Sequence, residues 1–309
     1  MFAMRLNSQP ETDVIVNFKS SNQKEGKVET DNLTFNSNNW NSYQNVLVKG
    51  VDDNDTDGNI TYPIEIIVDD SSDTSFKGLE VPDVIFVNVD DETPGYIITK
   101  ISGNTNEFGL KASFAIKLNS QPDNNSTPVT LKFSSSDTDE GKVSPDNLTF
   151  TYNNWNSYKY VTVTGQDDNI TDGNQGYFII IDPDNDTNDL NYRNKDPLDI
   201  YVVNIDNEKP GYIISSISGD TTEIGGEAVF SVRLMTQPDN DSTNVTLSFE
   251  SSNKEEGTVT PDNITFTYND WNSYKNIKVT GVNDNISDGN KIYYVIISAD
   301  NTTKDINYR

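Results

Sequence analysis

Neither cysteine nor histidine occurs among the 309 residues. The first absence rules out a disulfide framework, a thiolate metal site and a cysteine nucleophile. The second removes the commonest general base and the commonest transition-metal ligand. Positive charge is also scarce, with 22 Lys and Arg against 49 Asp and Glu and a formal charge of -27. Such a chain repels phosphate backbones, so nucleic acid is set aside as a partner in favour of a cation or a basic surface. No apolar run approaches the roughly 18 residues that a membrane helix needs. The opening MFAMRLNSQP has no basic stretch followed by an apolar one, so no membrane-spanning segment and no readable address is expected. Hydrophobic residues make up 33 % and aromatics 10 %, low values that still allow small cores.

What the chain has in abundance is itself. Trp40, Trp155 and Trp271 sit in NNWNSY, NNWNSY and NDWNSY, 115 and 116 residues apart. The same spacing aligns MRLNSQP with IKLNSQP and VRLMTQP, and TDNLTF with SPDNLTF and TPDNITF. A period this long exceeds the roughly 20 to 50 residues of a solenoid unit, so each copy is expected to own a core. Three repeats are read, at 1–93, 94–209 and 210–309. Phe2 aligns with Phe114 and Phe230, which starts the first repeat inside a strand. Tyr308 and Arg309 align with Tyr192 and Arg193, which ends the third before the counterpart of NKDPLDIYVVNID. The expectation is therefore one complete repeat within a window on a longer array.

In the middle repeat seven short runs read as strands: YIITKI, ASFAIKL, VTLKFS, LTFTY, KYVTVTG, GYFIII and DIYVVNI. They are rich in β-branched and aromatic residues, alternate with period two in places, and are bounded by Gly, Pro, Asn and Asp. No stretch has a helical period. The predicted class is all-β, a tandem array of immunoglobulin-like antiparallel β-sandwich domains. Each Trp is read as an aromatic plug at the turn between the fourth and fifth strands.

Between the fifth and sixth strands lie GVDDNDTDGN (50–59), GQDDNITDGN (165–174) and GVNDNISDGN (281–290), here termed the acidic loops. If successive strands cross the sandwich, parity gathers Glu107, then Asp137, Asp139 and Glu140, then Asp167, Asp168 and Asp172, then Asp206 at one pole. So many carboxylates repel one another unless they are solvated, protonated or neutralised by a cation. Calcium suits mixed oxygen ligands on flexible loops, whereas magnesium demands a tighter octahedron and zinc favours histidine or cysteine. The competing reading is that Asp and Asn simply suit solvated turns. Repetition of Asp53, Asp168 and Asp284, of Asp57, Asp172 and Asp288, and of Gly58, Gly173 and Gly289 favours a site, although Asp52 and Asp167 give way to Asn283. An EF-hand is excluded, because the stretch from Asp53 places Ile64 at its twelfth position and is flanked by strands. DPDNDTND (182–189) falls at the opposite pole and is expected to be a solvated loop.

The runs NEFGLKASFAIKL (106–118) and TEIGGEAVFSVRL (222–234), the acidic loop followed by a strand, and a last strand closing in Asp resemble the Calx-beta domain, in particular the tandem repeats of large bacterial surface proteins and adhesins. The resemblance spans the chain and implies a sandwich that binds Ca2+ at one pole, beside the next domain. By position it assigns metal roles to Glu107 and Glu223 before the second strand. It assigns them to Asp52, Asp53, Asp57, Asp167, Asp168, Asp172, Asp284 and Asp288 in the acidic loops, and to Asp90, Asp91 and Asp206 after the last strand. The first repeat lacks the leading glutamate, the third lacks the last strand, and Asp91 is replaced by Asn207.

Three functions follow in outline. One is a calcium-binding structural spacer of an extracellular or cell-surface bacterial adhesin, whose partners are calcium ions and neighbouring repeats. Another is a module binding a glycan or protein surface through Tyr43, Tyr158 or Tyr274. An enzyme is not expected, because nothing sets one carboxylate pair apart from the others. Asn-x-Ser/Thr triplets such as Asn147–Thr149 and Asn169–Thr171 are read as composition, since the chain is so rich in asparagine.

Overall fold

The protein is described from a computed structural model, which describes residues 1–123, 126–184, 187–287 and 289–309. Its regular structure is almost all strand, in three groups, with one short 3-10 turn at Ile306–Tyr308. The first group holds β1 (Phe2–Met4), β2 (Val14–Ser20), β3 (Gly26–Val28), β4 (Asn32–Phe35), β5 (Gln44–Val46), β6 (Val48–Gly50), β7 (Ile60–Val68) and β8 (Val84–Asn88). The second holds β9 (Tyr96–Ile98), β10 (Thr105–Asn106), β11 (Lys111–Leu118), β12 (Val129–Ser135), β13 (Gly141–Ser144), β14 (Asn147–Phe150), β15 (Lys159–Gly165), β16 (Gln175–Pro183) and β17 (Ile200–Ile205). The third holds β18 (Tyr212–Ile214), β19 (Glu227–Leu234), β20 (Val245–Ser251), β21 (Gly257–Thr260), β22 (Asn263–Phe266), β23 (Lys275–Gly281) and β24 (Val295–Ala299). Among the described residues no helix is long and apolar enough to cross a membrane.

In the second group two sheets face each other, in the orders β10-β17-β16-β12-β14 and β13-β15-β11-β9. The alternation in KYVTVTG explains why β15 belongs here: Val161 and Val163 are fully buried while Thr162 and Thr164 are only partly so. Its partner β11 sets Phe114 opposite Val161, and β16 sets Tyr177 opposite Val202. These residues join Leu131, Phe150, Ile179 and Tyr192 in one core. Separate cores form around Val14, Phe35 and Ile64 in the first group and around Leu234, Phe266 and Ile277 in the third. All the long ladders are antiparallel.

Two strands exceed the seven read from sequence. β13 and β14 belong to different sheets but run in the same direction, so the fourth predicted strand is longer than expected and changes sheets between Ser144 and Asn147. The parity of the loops survives because this is still one crossing. β10 is a two-residue parallel partner of β17, with Thr105 opposite Asn204. The tryptophans behave as plugs: each packs partly buried against a core. Their carbonyls also accept from the chain, Trp155 from Leu118 N–H at 3.0 Å and Trp271 from Leu234 N–H at 3.0 Å. Tyr43, Tyr158 and Tyr274 are exposed, and each ring is covered on one face by a cation, from Arg5, Lys117 and Arg233.

One expectation is overturned. Asn185 and Asp186 of the 182–189 loop lie outside the described residues, but Thr187 and Asp189 are buried, so the end of the loop is not solvated. Asp189 Oδ2 accepts from the Asp123 N–H at 2.9 Å and Oδ1 from the Asn191 N–H at 2.9 Å, bonds that fold the following turn. Asp73 and Asp305 occupy the same place in the other units and are buried too.

Candidate cation site at the acidic pole

Backbone crowding comes first. β15 ends at Gly165, where a Cβ would stand 2.2 Å from the Asn106 carbonyl oxygen and 2.5 Å from Asn204 Oδ1. The absence of a side chain lets the β10 segment pass against the start of the acidic loop, which carries the neighbouring Glu107 into the pole. Thr105 anchors that segment from within, its hydroxyl 3.0 Å from Tyr177 Oη and 3.0 Å from Asn204 Oδ1. At the far end of the loop Gly173 has φ 76°, a left-handed conformation that suits glycine. Its N–H donates to Asp206 Oδ2 at 2.7 Å, as Gly58 N–H does to Asp90 Oδ2 at 2.6 Å.

These constraints gather carboxylates from four separate stretches. Glu107, Asp167 and Glu208 each present an oxygen, all within 4.8 Å of one another, and Glu140, Asp168 and Asp172 do the same beside them. Glu107 and Glu140 are only 4 % and 8 % exposed. Asn207 ties the first group together, its backbone N–H and Nδ2 donating to Glu107 Oε2 at 2.8 and 3.1 Å and Nδ2 also to Asp167 Oδ1 at 3.1 Å. Asn204 Nδ2 donates to Glu140 Oε2 at 3.2 Å.

Glu140, Asp168, Asp172 and Glu208 are each disfavoured as anions. Burial, and then the close approach and repulsion of the Glu107 and Asp206 carboxyls, push the Glu208 carboxyl up to about 8. Burial also raises Glu140, Asp168 and Asp172, with repulsion from neighbouring carboxylates adding to it. Glu208 Oε2 is buried without a hydrogen-bond partner. A buried carboxylate oxygen with no donor, amid carboxyls that resist ionisation, fits a bound positive charge. The donor set is all oxygen, which suits a hard cation such as Ca2+.

In the first unit Asp52, Asp91 and Glu92 form the corresponding group. There Asp91 supplies a carboxylate at the position where the second unit has Asn207. A pocket of about 210 Å³ opens among these residues, and Glu25, Asp53, Asp57 and Asp90 also line it. Asp53 Oδ1 accepts from Asp55 N–H at 2.9 Å, a local turn bond. Asp57 is raised by burial and by repulsion from Glu25, Asp53 and Asp90. Burial works against the Asp90 anion, but the Glu92 and Gly58 N–H groups outweigh it and lower its pKa. Asp206 likewise clamps backbone through both oxygens, the second accepting from Glu208 N–H at 2.7 Å. Asp90 and Asp206 thus shape the loops around the clusters.

The third unit differs. Glu223 is exposed, and Asp284 Oδ1 accepts from Ile286 N–H at 2.8 Å. Asp288 lies outside the described residues. Among the described residues this unit brings no three carboxylates together. Glu208 and Glu92 were not singled out from the sequence, although DDETPGYII and NEKPGYII place a glutamate at the same point of both junctions.

Replacing Gly165 by alanine is expected to displace the Asn106–Glu107 backbone, since the obstructing atom is a carbonyl and not a flexible side-chain end. A loss of about 1–3 kcal/mol is expected for such overpacking. Calorimetry of the chain should register it as a lower midpoint for unfolding of the second unit's core.

No known family's sequence model matches the chain. No curated protein matches it either. Among solved structures, the calcium binding domain CBD12 of CALX1.1 is similar over 65 % of this chain and 80 % of its own, at 14 % identity and a TM-score of 0.27. CBD12 from CALX1.2 covers the same shares at 12 % identity and a TM-score of 0.26. FdeC, an Escherichia coli adhesin, is similar over 91 % of this chain and 87 % of its own, at 9 % identity and a TM-score of 0.26. Overlap this loose bears on neither site nor ligand, and the case for a cation rests on the carboxylates themselves.

Proposed function

We propose that the chain is a calcium-binding structural module, a row of β-sandwich units at 1–93, 94–209 and 210–309 that serves as a spacer in a secreted or cell-surface bacterial adhesin. The observation that carries this reading is the trio Glu107, Asp167 and Glu208 within 4.8 Å, with Glu208 Oε2 buried and lacking a donor. Ca2+ would be held by these side chains and their neighbours, supplying the positive charge that the pole lacks. Modules outside the cell bind calcium with dissociation constants of roughly 0.1 to 1 mM, so each site would be filled there and the junction stiffened. The role is binding and support, not catalysis.

Isothermal titration of the full chain with calcium tests this. Saturable uptake is expected, and it should weaken sharply in the Asp167→Asn, Glu208→Gln variant. No uptake up to about 10 mM, well above the usual range for such modules, would sink the reading. A second reading, surface-ligand binding without essential calcium, is favoured by the exposed rings of Tyr43, Tyr158 and Tyr274 recurring at one place in each unit. Binding to a glycan panel in EDTA that disappears when all three become alanine would select it.

A further inference from the structure

The acidic loop also bonds to the unit that follows it. At the first junction Asn54 O accepts from Gln121 N–H at 2.9 Å, and Thr56 Oγ1 donates to Ser120 Oγ at 2.9 Å. Asn191 Nδ2 reaches back 135 positions to Thr56 O at 3.0 Å. The second junction repeats the arrangement bond for bond. Asn169 O accepts from Gln237 N–H at 2.7 Å, Thr171 Oγ1 donates to Thr236 Oγ1 at 3.1 Å, and Asn307 Nδ2 donates to Thr171 O at 2.6 Å. Asp55 with Gln121, and Ile170 with Gln237, form isolated parallel bridges between units.

The asparagine is held ready by its own unit. Its backbone N–H donates to buried Asp189 or Asp305, at 2.9 Å in both cases. Its Nδ2 also donates to Asp123 Oδ1 at 2.8 Å or to Asp239 Oδ1 at 3.1 Å. The next residue, Tyr192 or Tyr308, is buried and donates its hydroxyl to Ser120 O at 2.7 Å or Thr236 O at 3.0 Å, fixing the turn that meets the preceding loop. The first unit keeps the aspartate, Asp73, with Ser75 N–H donating to its Oδ1 at 2.8 Å. It places Ser75 where the others have asparagine and Phe76 where they have tyrosine, so the turn forms without the reaching amide.

We propose that Asn191 and Asn307 are latch residues that dock each unit onto the acidic loop of the one before it, making that loop a recognition surface for an Asp-x-Asn-Tyr turn. The latch uses backbone carbonyls and neutral donors, so it acts without the cation of the preceding reading.

Amide hydrogen exchange on the chain in EDTA tests it, because Gln121 and Gln237 N–H donate across the junctions, whereas among the described residues Gln9 N–H makes no bond to another unit. Asn191→Ser installs the residue that the first unit carries at this place and so is compatible with the fold. It is expected to speed exchange at Gln121 by about fivefold, the factor for one net hydrogen bond, and to leave Gln237 unchanged. Asn307→Ser should do the converse. Asn191→Asp, near in shape but lacking both donors and setting a carboxylate against Asp123, should bring Gln121 to the rate of Gln9. Core amides such as those of Ile116 and Val161 report that the unit is still folded. Unchanged exchange at Gln121 in both Asn191 variants would overturn the proposal.

Discussion

In about 10 mM calcium the second unit is expected to unfold about 10 °C higher than in EDTA. The size follows from mass action. A dissociation constant of about 0.1 mM puts the ion at roughly 100 times that value, which stabilises the folded state by about 2.7 kcal/mol. A domain of this size gains about 4 °C for each kcal/mol. Asp168→Asn with Asp172→Asn should reduce the shift and also raise the midpoint in EDTA, because both carboxyls are pushed up by burial and by repulsion from neighbouring carboxylates. Those two effects have opposite signs, so general destabilisation by the variant could not imitate them. Scanning calorimetry is the suitable measurement, since a chain with three cores need not melt in one step. Superimposable wild-type curves in calcium and EDTA would mean that the carboxylates of the acidic loops hold no calcium.

The sequence made the strands and the pole legible for a physical reason. Alternation in KYVTVTG and SFAIKL follows directly from a sheet with one buried face, and parity then places the loops without any coordinate. Glu107, Asp167, Asp168 and Asp172 were therefore found. Glu208 was missed because its nearness to Glu107 depends on the short parallel pairing of β10 with β17, which no local pattern signals. The role of Asp206 was also unreadable, since an aspartate that clamps the Gly173 N–H looks the same in sequence as one that faces an ion. Misreading of the 182–189 loop had a different origin. Its length and composition drift between units, which hid Asp73, Asp189 and Asp305 at a spacing of 116 residues on both sides. The Asp-Leu-Asn-Tyr and Asp-Ile-Asn-Tyr turns were visible in the sequence, but that each asparagine serves the unit before it is a tertiary fact that no local pattern carries.

Calcium affinity is expected to rise with pH, by up to about tenfold per unit between roughly 6 and 8. Glu208 is the cause. Its folded carboxyl keeps a proton up to about 8, while an ordinary glutamate releases it near 4.5. Between those values the ion-free folded state binds more protons than the unfolded chain, so its stability falls as pH rises and levels off above about 8. A cation that takes Glu208 as a ligand must displace that proton, and it relieves the same penalty. Titrations at pH 6.5 in buffers of different ionisation enthalpy should show about one proton released per ion bound, falling towards none near pH 9. Glu208→Gln has no proton to release, so its weaker binding should lose most of this slope, with Asp168 and Asp172 leaving a remnant at the acid end. Full affinity at pH 6 with no proton release would place the ion away from Glu208 and leave the Glu140, Asp168 and Asp172 group as its seat.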